Sequence, residues 1–192
     1  MTLVHKSVSA LLEELRSSAP TPGGGSASAL AGALGSSLLA MVAGLPKPRA
    51  STPEELQTLA QAGSRCTGHA RRLEALVDED SDAYMTVMSA YRLPKSTAEE
   101  KVARAAAIQA ALKAAIDTPL AMMRACASAL VDEPAIRALG NANASSDVGV
   151  AVELLRAARR GARLNVEINL ETVTDRAYAD GVREEMDRLD RR

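Results

Sequence analysis

The chain has 192 residues, enough for one domain with a sizeable core or at most two small ones. Hydrophobic residues make up 47% and charged residues 24%, which excludes a disordered chain, and aromatics are only 2%, so the core must be built from Ala, Leu, Val and Met in closely packed helices rather than a β-sandwich. The formal net charge of -1 and the scarcity of rings argue against a nucleic-acid partner, which calls for a basic excess and stacking aromatics.

The hydrophobic period is helical almost throughout. The first residues lead into an amphipathic segment, so no signal peptide is expected. Ser7 to Arg16 reads as a first helix with Val8, Leu11, Leu12 and Leu15 on one face. A breaker follows at Pro20 to Gly25, and Ser26 is the expected N-cap of the next helix. Ser26 to Leu45 is uncharged and long enough to cross a bilayer, with small residues at Ser28, Gly32, Ser36, Ala40 and Gly44. Its Ser, Gly and Ala content and the absence of basic flanks on its N-terminal side argue against a membrane. The stripe instead predicts a central helix, buried all round, packed closely on its neighbours or on a second subunit.

Thr52, Pro53 and Glu55 form a capping pattern that opens one long helix to about Tyr91, with a kink allowed at Gly63 or Gly68. Thr97 and Glu100 open another, ending near Ile116. Thr118-Pro119 is expected to start a separate helix that ends near Pro134. Gly140 to Ser146 is a polar turn. Asp147 onward is helical to about Arg160, and Leu164 to Leu170, though alternating, reads as helix because a lone strand has no partner. A charged helix follows from Thr174. The fold expected is all-α, a single domain over residues 1-192 built as a bundle of long antiparallel helices around the small-residue helix.

Few residues offer chemistry. The turn Thr21-Pro22-Gly23-Gly24-Gly25-Ser26 presents backbone N–H groups at a helix start, a place for a carboxylate or phosphate, although taken alone a tight interhelix turn needing positive φ is the better reading. In the acidic run at 78–82, Asp78 and Asp82 share the expected solvated side with Arg71 and Ser89. Asp80 falls instead on a stripe with His69, Leu73, Leu76, Val77, Tyr84, Val87 and Tyr91. A carboxylate among apolar groups has its pKa raised toward neutrality, as a general acid or base needs; a capping or Arg-paired carboxylate is the alternative. His69 lies about 16 Å from Asp80 along the axis, which excludes a dyad between them. Cys66 and Cys126 read as small buried hydrophobes in a reducing compartment, with no metal spacing. Arg156, Arg159, Arg160 and Arg163 form a solvated basic face or meet an anionic tail.

The motifs in order resemble the cyclodeaminase domain of the formiminotransferase-cyclodeaminase family. They are Pro22 to Ser26 with the Ala- and Leu-rich helix ending Met41-Val42-Ala43; Val77 to Tyr84; Leu93-Pro94-Lys95; Pro119-Leu120; Gly140-Asn141 with Asn143, Ser146 and Asp147; and Asn165-Val166 with Ile168-Asn169-Leu170, then Asp175. The resemblance covers nearly the whole chain from Ser7. It implies a dimeric, cytoplasmic, all-α domain with no metal or redox cofactor beyond the tetrahydrofolate substrate. Members of the family either release ammonia from 5-formiminotetrahydrofolate to give 5,10-methenyltetrahydrofolate or hydrolyse the methenyl compound to 10-formyltetrahydrofolate. Asp80 matches the family's proposed acid/base. By motif position, Gly23, Gly24, Gly25 and Ser26 would hold an anionic part of the substrate, Asn141, Asn143, Asp147, Asn165 and Asn169 the pterin's polar edge, and Lys95 the glutamate carboxylates. One departure stands out: Gly44 to Ala50 replaces the family's Thr-x-Gly-basic loop, which bears on substrate identity and on activity. The rival from another class is a non-catalytic helical dimer that binds folate or a protein partner.

Overall fold

The computed structural model describes residues 2–46 and 51–191. A short 3-10 turn, Leu3–His5, precedes six α-helices: α1 Val8–Arg16, α2 Gly24–Gly44, α3 Pro53–Tyr91, α4 Ala98–Leu139, α5 Ser145–Leu170 and α6 Arg176–Asp190. Among the described residues there is no strand. The starts of α1, α3, α4 and α6 follow from side-chain caps. Ser7, Thr52, Thr97 and Asp175 each accept a backbone N–H three residues on, and Thr52/Glu55 and Thr97/Glu100 close full capping boxes.

Helices α2 to α5 form the bundle. α2 packs on α3 and α5, α4 packs on the same two from the other side, and α2 meets α4 more lightly across the diagonal. Small residues set the spacing. Gly32 lies against Cys126 and Leu73, and a methyl on Gly35 would reach to 2.8 Å of the Ala151 carbonyl oxygen. One contiguous core, including Leu39, Leu73, Ile116, Met122, Met123, Ile136 and Leu155, runs between the helices and takes in Met186 of α6. Ion pairs fasten α6: Arg124 to Glu185, Lys113 to Asp175, and Arg163 to Asp187 and Asp190. Arg159 donates to the carbonyls of Leu189 and Asp190, where a cation suits the helix end. Of the expected basic face, Arg159 and Arg163 thus meet the acidic tail.

α3 and α4 outrun α2. Near one end of α2, Gly63 approaches Ala43; near the other, Asp80 touches Gly25. Beyond Asp80, α3 continues for about 16 Å to Tyr91. There it pairs with the start of α4 through a second small core of Ala90, Ile108, Ala111 and Leu112. The hairpin therefore projects past the first turn of α2 and leaves a step.

Three expectations are corrected. Ser26 is not the N-cap: Gly23 is, and Ser26 lies buried within the first turn of α2. α4 does not break at Thr118-Pro119 but runs on through both Pro119 and Pro134. An internal proline costs about 3 kcal/mol, and here it is outweighed by packing, since Ile116, Leu120, Met122 and Met123 beside it are all buried. Within the single chain, the outer face of α2 leaves Leu34 51% and Met41 43% exposed, the side for which the expectation allowed a second subunit. α2 and α4 are long and apolar enough to cross a bilayer, yet both contribute buried faces to this bundle. Asp78, expected in solvent beside the exposed Asp82, is half-buried and accepts the backbone N–H of Leu3 at 2.5 Å, so it pins the N-terminal turn.

Candidate active site

The first turn of α2 leaves the N–H groups of Gly24, Gly25 and Ser26 without helical partners, at the positive end of the helix. The Asp80 carboxyl, coming from α3, rests on that turn. It lies so close to Gly25 that no side chain fits there. Its Oδ2 accepts from Ser26 Oγ at 3.1 Å, and Ser81 Oγ lies 3.3 Å from the same hydroxyl. Burial raises the pKa of the Asp80 carboxyl from its ordinary value, and the Ser26 hydroxyl and N–H draw it only partly back. Of its stripe, Leu73, Leu76 and Val77 are buried, while Tyr84 and Tyr91 reach solvent.

A cavity of about 350 Å³ opens at the step. Its floor is Gly23, Gly24, Gly25 and Asp80, with Pro20 and Thr21 at the rim. Ala83, Tyr84 and Val87 of α3 and Ala115 and Pro119 of α4 supply walls. Asn165, Ile168 and Asn169 of α5 close it. Asn165 and Asn169 are one turn apart, so both amides reach the same space. Asn165 Nδ2 donates to the Gly161 carbonyl at 2.8 Å, which fixes the amide and leaves Oδ1 as an acceptor.

The structure thus gathers Gly23, Gly24, Gly25, Ser26, Asp80, Asn165 and Asn169 in one place. It does not bring Lys95, Asn141, Asn143 or Asp147 to that cavity. Lys95 is exposed in the turn between α3 and α4. Asn141 and Asn143 lie at the opposite end of α2, about 30 Å from its start. There Asn141 Nδ2 donates to the Pro46 carbonyl and its Oδ1 accepts the Asn143 N–H, a turn-capping arrangement. Asp147 sits in the first turn of α5. Of the divergent 44–50 loop, residues 47–50 lie outside the described residues. Tyr84, Ala115 and Pro119 line the cavity without having been singled out as site residues, beside Thr21 of the expected turn. The i, i+4 spacing of Ala115 and Pro119 was the available signal, hidden by reading Pro119 as a helix start.

Elsewhere, Arg65 holds the buried Asp132 through Nε at 3.0 and 3.2 Å and Nη2 at 2.5 Å. Burial lowers the pKa of His69, which is half-buried nearby. Burial also pushes the thiols of Cys66 and Cys126 up to about 12, as inert core residues. Among the described residues no three His, Cys, Asp or Glu side chains come together as a metal-holding group.

Comparison with known proteins now bears on this geometry. The formiminotransferase-cyclodeaminase family model matches residues 7–188. A methenyltetrahydrofolate cyclohydrolase of Methylorubrum extorquens is 42% identical over 96% of this chain and 89% of its own. The formimidoyltransferase-cyclodeaminase of Sus scrofa is 34% identical over 98% of this chain, which spans only 35% of that longer protein. The crystal structure of a formiminotetrahydrofolate cyclodeaminase from Thermotoga maritima superposes with a TM-score of 0.85 at 25% identity, covering 97% of this chain and 89% of that one. With the motifs in order, the helices in the same arrangement and the acidic motif delivered to a cavity, the chain belongs to the formiminotransferase-cyclodeaminase family.

Proposed function

We propose that this chain is a tetrahydrofolate one-carbon enzyme that hydrolyses 5,10-methenyltetrahydrofolate to 10-formyltetrahydrofolate, with Asp80 as acid/base. The observation that carries the reading is the Asp80 carboxyl, partly withdrawn from water yet lining an open cavity with two amides across from it. The similarity to a methenyltetrahydrofolate cyclohydrolase over nearly the full length of both chains favours hydrolysis.

The methenyl carbon belongs to a cationic amidinium. Bound beside Asp80, that positive charge favours the ionised carboxylate at the moment a base is needed. Asp80 takes a proton from water as the oxygen adds to the carbon. It then returns the proton to N5 as the carbon–N5 bond breaks, and the second water proton leaves as the formyl C=O forms. Because Asp80 already rests on the first turn of α2, the N–H groups of Gly24 and Gly25 suit an uncharged or developing oxygen better than a full anion.

A second reading is supported by the structural neighbour, a formiminotetrahydrofolate cyclodeaminase. In it N10 attacks the formimino carbon of 5-formiminotetrahydrofolate, and Asp80 in its acid form protonates the departing ammonia. Both routes pass through a tetrahedral carbon bearing nitrogen, so one carboxyl serves either. As the resemblance implies, the reading includes a cytoplasmic homodimer. The exposed apolar side of α2, with Leu34 and Met41, and the neighbouring Val8 and Leu12 of α1 are the surface a second copy would cover.

The test is purified protein with each substrate, followed at the methenyl absorbance band. Loss of the band from methenyltetrahydrofolate supports hydrolysis, and its appearance from formiminotetrahydrofolate supports cyclodeamination. No change with either substrate would move the reading to a non-catalytic folate- or partner-binding dimer.

A further inference from the structure

We propose that the backbone carbonyl of Ala115, released from its helical hydrogen bond by Pro119, is the acceptor that reads an N–H group of the ligand in the Asp80 cavity. Within α4, residue 119 should donate its N–H to the carbonyl of residue 115. Pro119 lies inside α4 and has no N–H to give, and a proline ring crowds the carbonyl four residues back. Ala115 and Pro119 are the two α4 residues that line the cavity, one turn apart on one face. The carbonyl between them is therefore presented to the bound molecule. A carbonyl held out of solvent without a donor costs free energy unless a partner arrives.

The other internal proline of α4 provides a contrast. Pro134 frees the carbonyl of Leu130, but that surface hollow also contains Arg156 and Arg159, so protein donors are at hand. Around the Asp80 cavity the described lining has no Lys, Arg or His. Its side-chain acceptors are Asn165 Oδ1 and the Asp80 carboxyl, and its donors are the glycine N–H groups, the Thr21 and Tyr84 hydroxyls and the Asn169 amide. A carbonyl freed beside these acceptors calls for a ligand edge that carries N–H donors. On the folate reading above, on which this inference rests for the ligand's identity, the edge is the 2-amino and neighbouring ring N–H of the reduced pterin.

The experiment measures binding of 5-formyltetrahydrofolate and of its 2-desamino counterpart by calorimetry, to the wild-type chain and to Pro119→Ala. Alanine restores the N–H and satisfies the Ala115 carbonyl from within the helix. The wild type is expected to prefer the 2-amino ligand by about tenfold, the range of one lost hydrogen bond at a buried acceptor. Pro119→Ala should lose most of that preference, raise KM with kcat nearly unchanged, and melt at the same temperature or higher. A helix that merely straightens and spoils the cavity would weaken both ligands alike, and that outcome overturns the proposal. So does a wild type that binds the two ligands equally, a measurement needing no variant. Tight, selective binding unchanged in Pro119→Ala overturns this inference and leaves the folate reading standing. A wild type that binds no reduced folate overturns both.

Discussion

Gly25 and Asp80 are packed so closely that a methyl group on Gly25 would occupy the place of the Asp80 carboxyl. The glycine is there for space: its backbone is ordinary helix, with no positive φ. Gly25→Ala should therefore expel the carboxyl from the first turn of α2. The expected result is a loss of turnover of about a hundredfold or more, since a misplaced acid/base loses both its proton transfer and its alignment. Steady-state kinetics on the purified variant check it, and activity near wild type would show that the contact is not needed.

Asp80→Asn keeps the shape and removes the proton. Turnover should fall about a hundredfold or more while reduced-folate binding persists. The same variant has a stability signature. Burial raises the Asp80 pKa in the folded state, so the folded chain binds that proton more tightly than the unfolded chain does. Stability from the neutral carboxyl is complete below its unfolded pKa of about 4 and is lost as the pH climbs through the folded value. Asparagine mimics the neutral form at every pH. The variant should then melt above wild type at neutral pH, with the gap closing toward about pH 4. Thermal melts across pH decide this, and a gap independent of pH would count against a buried, titrating carboxyl.

Asn169→Leu replaces an amide with an apolar group of similar size on the wall of the cavity. KM for a folate substrate is expected to rise about tenfold with a smaller change in kcat, because an amide in that wall can hold a substrate but cannot transfer protons. Equal falls in kcat and kcat/KM would instead place Asn169 in the chemical step.

Asn141→Ala acts at the far end of α2. It removes the hydrogen bond to the Pro46 carbonyl and the cap on the Asn143 N–H. A loss of about 1 kcal/mol of stability is expected, the ordinary cost of a deleted cap, read from denaturant unfolding.

Leu34→Glu tests the outer face of α2. If a second copy covers that face, a buried charge there should shift the assembly toward monomer, as measured by light scattering with size exclusion. A chain whose mass is unchanged by the substitution would exclude this face as the interface.

Much of the fold was legible because local signals agreed. The capping boxes at Thr52 and Thr97 marked the starts of α3 and α4 without error, since a cap is a contact between near neighbours in sequence. The helical wheel likewise separated Asp80 from Asp82. It misjudged Asp78, whose partners are the N–H groups of Leu3 and Val4 from the far N-terminus. Pro119 was misread for the related reason that a proline's local cost is visible in sequence, whereas the packing that outweighs it is not.

By itself the sequence determined an all-helical chain with one unusual carboxylate, because helix period, capping and glycine content are properties of short segments. Only tertiary structure decided where that carboxylate would sit. It set Asp80 on the first turn of α2, drew Asn165 and Asn169 to it while leaving Asn141 about 30 Å away, and made a cavity where α3 and α4 outrun α2. Those relations depend on how helices of unequal length align, which is fixed by burial summed over the whole bundle and by no residue's own preference.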